Sequence, residues 1–262
     1  VYIGTSPYLK PWGITVTRVH TLTGSGDTQW YDAKAEPVSG DINPAHVIRE
    51  CLTNTEWGMG YPTAEIDDTE FQAAADTLYT EGFGLSFAWS RSSPIEDFIE
   101  EVLRHIDGIV RINHATGKFE LYLLRNDYTL ESLTTLDESN VTEVNDIAVR
   151  QLGEVVNSVT VRYKDEFDND ASVTADDPAL IDIVGTKIEE EFDYIGIRGN
   201  PTLAAKIAQR ELKQVSLPLI SCSVITNRDA SSLRVGDPFI LTWPENNISE
   251  VVMRVVKISL GN

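Results

Sequence analysis

The sequence predicts an α+β protein: three helices on one face of a small antiparallel sheet, followed by a β-barrel-like domain carrying one inserted helix. Three observations lead there. Capped apolar stripes recur between Asp41 and Gly108, a hairpin signal sits at Ala115–Gly117, and from Val141 onward apolar and polar residues alternate, interrupted by one helical run. Residues 1–40 read as the end of a truncated β-domain, 41–125 as an α+β domain, and 126–262 as a β-rich, barrel-like domain with a helix over 201–215.

In the first block, Thr15–Leu22 alternates as a strand, and a Gly/Ser/Asp turn leads to a short aromatic strand near Trp30 and Tyr31. Asn43 then offers a side-chain oxygen as N-cap, and Pro44 suits a first helical position, where a missing N–H costs nothing. The predicted helix over 43–53 buries Val47, Ile48, Cys51 and Leu52 and turns Arg49 and Glu50 outward. Asn54 is expected to end it in a left-handed conformation, with Gly58 and Gly60 bending the backbone around the Trp57 ring.

A second helix over 68–81 starts at Asp67 and Glu70, carries the apolar stripe Phe71, Ala74, Ala75, Leu78 and Tyr79, and stops at Gly82. Phe83, Leu85, Phe87 and Trp89 alternate as a strand. A third helix over 94–107, started by Ser93, Pro94 and Glu96, carries the stripe Ile95, Phe98, Ile99, Val102, Leu103 and Ile106, and Gly108 closes it. Ile109–His114 and Lys118–Leu124 form a hairpin. Strands follow at Val159–Tyr163, Ile220–Val224 and Glu250–Leu260, separated by a helix that Asn200 and Pro201 open and whose buried face is Ala204, Ile207, Ala208 and Leu212.

Composition limits the function. The 262 residues carry a formal charge of −20, which opposes phosphate binding and docking on anionic lipid, so no nucleic-acid groove and no membrane insertion are expected. No apolar run approaches the roughly 20 residues that span a bilayer. Cys51 and Cys222 read as small buried residues of a protein made in a reducing cytosol. The chain starts at Val1 and shows no leader, which reads as a piece of a longer protein.

Catalytic and metal-binding patterns are not visible. His20, His46, His105 and His114 lack the spacing of a zinc site, and there is no Gly-x-Ser-x-Gly elbow, Walker loop or dinucleotide fingerprint. Glu166, Asp168, Asp170 and Asp177 mimic the spacing of a calcium loop. Yet Ala171 stands where glycine should turn and Asp177 is too short for the bidentate position, so a solvated acidic loop is the preferred reading. Asp67 with Asp68, and Glu189 to Glu191, are paired carboxylates better explained as caps and exposed faces than as a glycosidase pair. No catalytic residue, no metal and no cofactor is assigned.

The order Asn43-Pro44-Ala45, Leu52-Thr53-Asn54 and Trp57-Gly58-Met59-Gly60 resembles the central hub, or tail-tip attachment, proteins of long-tailed bacteriophages and prophages. Tyr2–Trp12, Asn227-Arg228, Val235-Gly236-Asp237 and Arg254-Val255 add to the likeness. The resemblance implies a non-enzymatic virion structural protein, synthesised in the bacterial cytoplasm and homotrimeric in its full-length form. Such a protein joins the tail tube and other tail proteins to a central fibre or spike around the DNA exit path. A carbohydrate-binding or glycan-cleaving tail domain is the competing reading, with Trp12, Trp30, Trp57, Trp89 and Trp243 as candidates to stack on sugars.

Overall fold

The computed structural model describes residues 30–38, 40–86, 94–149, 155–217 and 219–259. The early strand expected at Thr15–Leu22, and Phe87 and Trp89, fall outside them. Three helices form where their stripes require, α1 (Pro44–Thr53), α2 (Asp68–Glu81) and α3 (Ile95–Ile106), the first two with side-chain caps and α3 from Pro94 without one. Asn43 Oδ1 accepts the Ala45 N–H at 3.0 Å, and Asp67 accepts from Thr69 and Glu70. The hairpin is β1 (Gly108–Ile112) against β2 (Phe119–Leu123), antiparallel and in the expected register around Ala115–Gly117. Helices α2 and α3 pack on this ribbon and α1 packs on both helices.

The second half supplies β3 (Thr134–Leu136), β4 (Val141–Val149), β5 (Ser158–Lys164), β6 (Asp170–Asp176), α4 (Pro178–Val184), β7 (Glu189–Arg198), α5 (Pro201–Val215), β8 (Ile220–Thr226), β9 (Pro238–Trp243) and β10 (Ile248–Arg254). They pair as β6-β5-β7, β10-β9-β3 and the ribbon β4-β8. The mixed α+β class holds, but none of these small sheets closes into a barrel among the described residues. Helix α5 lies on β5 and β6, and its Leu203, Ala204, Ile207 and Ala208 join Val159, Val161, Tyr194 and Ile197 in one core with the buried faces of α1, α2 and α3. A second core gathers Leu136, Val141, Phe239, Leu241, Trp243 and Ile248.

Several local expectations are corrected. Trp30 and Tyr31 form a turn, not a strand: Tyr31 is left-handed at φ 50°, leads into a 3-10 turn at Asp32–Lys34, and donates its hydroxyl to Asp76 at 2.6 Å. Arg49 does not point into solvent. It pairs with Asp68 at 2.9 Å and lays its guanidinium over the Trp30 ring, 4.8 Å from the ring centre. Asn54 is extended at φ −67°, and instead of turning left-handed its side chain accepts the Glu56 and Trp57 N–H groups.

The loop after α1 closes on the helix end and not around Trp57, which stays exposed. Met59 N donates to Cys51 O at 2.8 Å and Tyr61 N to Leu52 O at 2.9 Å, and a Cβ on Gly58 would lie 2.4 Å from Cys51 O. Only glycine fits there. Tyr79, at the edge of the α2 stripe, is exposed rather than buried; Phe83 and Leu85 are buried, and Leu85 makes a single bridge with Ile42, while the rest of the strand expected there lies outside the described residues.

Helix α3 is closed by left-handed Asp107 at φ 51°, leaving Gly108 free to start β1. Two helices, not one, interrupt the later strands, because Asp177 and Pro178 start α4 and Gly185 ends it at φ 79°. The last strand ends at Arg254, four residues beyond the predicted Glu250 start, and begins earlier, at Ile248.

Candidate functional site

Two buried polar assemblies stand out, each made by elements far apart in sequence. In the first, β1 and β2 face the turn before β9. Arg111 Nε donates to Glu120 Oε2 at 3.2 Å while its Nη1 donates to Asp237 Oδ1 at 2.7 Å and to Val235 O at 3.0 Å. Glu120, only 3% exposed, also accepts from Arg234 at 2.7 Å and from Asn113 at 2.6 Å. Arg111 further stacks on Tyr122 with 4.3 Å to the ring centre.

The backbone at this joint is equally committed. Gly236 takes φ +93°, and a Cβ there would approach Tyr122 Cδ1 to 3.1 Å and Ile109 Cδ1 to 3.2 Å. Gly236 N donates to Val255 O at 2.8 Å, and Arg254 donates to Gly236 O at 2.7 Å and to Arg125 O at 3.0 Å. Arg125 in turn grips both carboxylate oxygens of Glu81 at 2.7 and 2.8 Å and reaches the carbonyl of Ile106 at the end of α3. The sequence flagged Val235-Gly236-Asp237 and Arg254-Val255 only as scattered likenesses. The fold brings them together on the hairpin.

The second assembly lies where α3, β7 and α5 meet, beside a cavity of about 180 Å³ lined in part by Leu103, Arg104, Phe192, Tyr194 and Gln214. His105 is fully buried. Gly196 N donates to its Nε2 at 3.0 Å, so Nε2 carries no proton, and Nδ1–H donates to Glu101 O at 2.7 Å. Burial pushes its pKa down to about 4, against a weaker upward pull from Glu101.

Tyr194 donates to Glu211 at 2.6 Å and accepts from Arg210 at 3.1 Å, and Arg210 also reaches the His105 carbonyl at 3.0 Å. Burial raises the Tyr194 hydroxyl well above its ordinary range, so it holds its proton. Arg104 lies over this ring, 4.6 Å from its centre. Within each assembly the polar groups bond one another, an arrangement suited to fixing helices and strands in place.

The acidic candidates do not converge. Asp165, Glu166, Asp168 and Asn169 make the turn between β5 and β6, Asp170 opens β6 and pairs with Lys164 at 2.7 Å, and Asp177 lies past the far end of β6 as the cap of α4. Asp67 caps α2 and Asp68 binds Arg49. Glu189 accepts from Thr160 at 2.6 Å, and Glu191 pairs with Arg162. Among the described residues no group of three or more His, Cys, Asp or Glu side chains is placed to hold a metal. His46 is buried in α1, His114 is exposed at the hairpin tip, and His20 lies outside the described residues.

Trp243 is buried in the second core and Trp30 packs on the first, while Trp57 is exposed; Trp12 and Trp89 lie outside the described residues. Both cysteines are free thiols, Cys51 buried and Cys222 half-buried. No helix among the described residues is long and apolar enough to cross a membrane.

Residues 94–258 match the family described as "Putative phage tail protein" (Phage-tail_3). No curated protein matches the chain. The matched span begins just before α3 and runs past β10, so it contains α3, β7 and α5 of the second assembly and, in the first, Arg111, Glu120, Arg234, Asp237 and Arg254. Covering well over half of the sequence, it establishes that the chain belongs to this family of phage tail proteins.

Proposed function

We propose that the chain is a structural, non-enzymatic part of a tail tip or baseplate hub, joining the tail tube to a central fibre or spike around the DNA exit path. The observation that carries the reading is the Arg111–Glu120–Arg234–Asp237 joint. It ties the helical half to the C-terminal strands through charge-assisted bonds, and the turn it clamps holds residues that carry the likeness to hub proteins. A part that transmits load between tube and fibre has to keep such elements in fixed register, and a buried network whose directional, charge-assisted bonds are satisfied at both ends supplies that register.

Its partners in this reading are other tail proteins, with the full-length chain forming a homotrimer around the tail axis. The net charge of −20 suits a DNA path, since a surface with few free cations does not retain phosphates. Gold labelling of a tagged full-length protein in purified virions tests the placement. Label confined to the distal end of the tail is expected, and label along the tube or at the head junction rejects the hub.

A further inference from the structure

We propose that Phe167 is a docking knob that seats in an apolar pocket, rimmed by lysine or arginine, on another protein of the same tail. The side chain sits at the tip of the β5–β6 hairpin and is 76% exposed, in contrast to the Phe side chains at 71, 83 and 239, which are buried. An exposed phenylalanine gains nothing from solvent, and isolated aromatic anchors of this kind are the side chains that dominate protein interfaces once buried.

The tip is built before any partner arrives. Asp165 Oδ1 accepts the backbone N–H groups of Phe167 and Asn169, both at 2.8 Å, and Oδ2 accepts the Asn169 amide at 3.0 Å. Asp165 N donates to Asn169 O at 2.9 Å, and Asp168 takes the left-handed φ of 69°. Gly199 backs the loop, its missing Cβ position 3.4 Å from Glu166. Little ordering entropy therefore remains to be lost on docking.

Charge identifies the occupant. Phe167 is flanked by Glu166 and Asp168, with Asp165 and Asp170 beside them; Lys164 pairs with Asp170 and Arg198 lies close enough to Asp165 to interact with it, so the four carboxylates outnumber the two cations at the tip. A basic rim complements this excess of carboxylates. Anionic lipid does not, and a second copy, with 41 acidic against 21 basic residues, is a poor source of such a rim. The inference rests on membership of a phage tail and is independent of where along the tail the chain sits.

Photo-cross-linking in assembled tails tests it, using the full-length protein with Phe167→p-benzoylphenylalanine and mass spectrometry of the adducts. An adduct to a different tail protein, at an apolar site flanked by Lys or Arg, is the expected result. An adduct to a second copy or to lipid, or no adduct in fully assembled tails, overturns the proposal. In competition with the wild-type chain, F167A is expected to enter tails about 10- to 100-fold less well, from the transfer free energy of one buried phenylalanine side chain. F167W is expected to restore much of that loss, and both variants should keep the wild-type melting temperature because the site is exposed. Equal incorporation of F167A and wild type also overturns the proposal.

Discussion

Replacing Glu120 with alanine removes a carboxylate that Arg111, Asn113 and Arg234 share at 3.2, 2.6 and 2.7 Å. Glu120 is 3% exposed, and the Arg111 side chain is 8% exposed, so water cannot readily replace the lost partner. Breaking a buried pair on one side costs about 3–5 kcal/mol, because the remaining charge stays desolvated; Asp237, still bonded to Arg111 at 2.7 Å, keeps the effect toward the lower end. For a cooperative unit of 262 residues the unfolding entropy is about 0.55 kcal/mol/K, so a loss of about 3 kcal/mol lowers the melting temperature by about 5–6 °C. Calorimetry and urea unfolding of E120A, with exposed Glu131→Ala as control, measure this. E120A unfolding within 1 °C of wild type, or E131A falling as far, refutes the claim that the joint holds the two halves together.

Three further expectations concern single positions. The His105 imidazole is neutral when folded, with its pKa lowered to about 4 from an ordinary 6.5, so stability is unaffected above pH 6.5 and falls as pH drops from there toward 4, by about 3 kcal/mol. Asp41 works against this, since burial raises its carboxyl to about 6 and favours the folded state on acidification, so the comparison is of wild type with H105Q, whose acid-induced loss should be smaller. Gly236→Ala forces a Cβ to 3.1 Å from Tyr122 at φ +93° and should cost about 2–3 kcal/mol in urea unfolding. Asn43→Ala removes the cap of α1 and two bonds from Nδ2 to Lys34 O and Ala75 O, and should cost about 2–4 kcal/mol by the same measurement.

The helices were legible because their determinants are local. Asn43-Pro44, Asp67 and Asn200-Pro201 each place a cap directly before an apolar stripe, and α1, α2 and α5 begin where these caps require. The same signal stands at Asp177-Pro178 with Gly185 beyond it, but the helix between them has only seven residues, and the acids before it share the spacing of a metal loop. Asp107 took the left-handed position expected of its glycine neighbour because an aspartate tolerates αL and Gly108 is used in the strand.

The polar assemblies were not legible. Arg111 meets Asp237 across 126 positions and Gly196 meets His105 across 91, and no periodicity encodes pairings at that range. Whether the strands close into a barrel was not legible for a related reason: alternation identifies strands, whereas their neighbours are set by distant partners, and among the described residues the sheets stay small and open. Arg49 shows the same limit on a smaller scale, since its outward helical position said nothing of the Trp30 ring that it covers.

The central claim is that the chain is a hub component at the end of the tail, and a reconstruction of intact tails by electron cryomicroscopy tests it most directly. Density that fits α1–α3, the β1–β2 hairpin and the β9–β10 sheet should occur in three copies around the tail axis at the distal end, adjoining the tube on one side and a fibre or spike on the other. Finding the fold repeated along the tube, or present in one off-axis copy, contradicts the account.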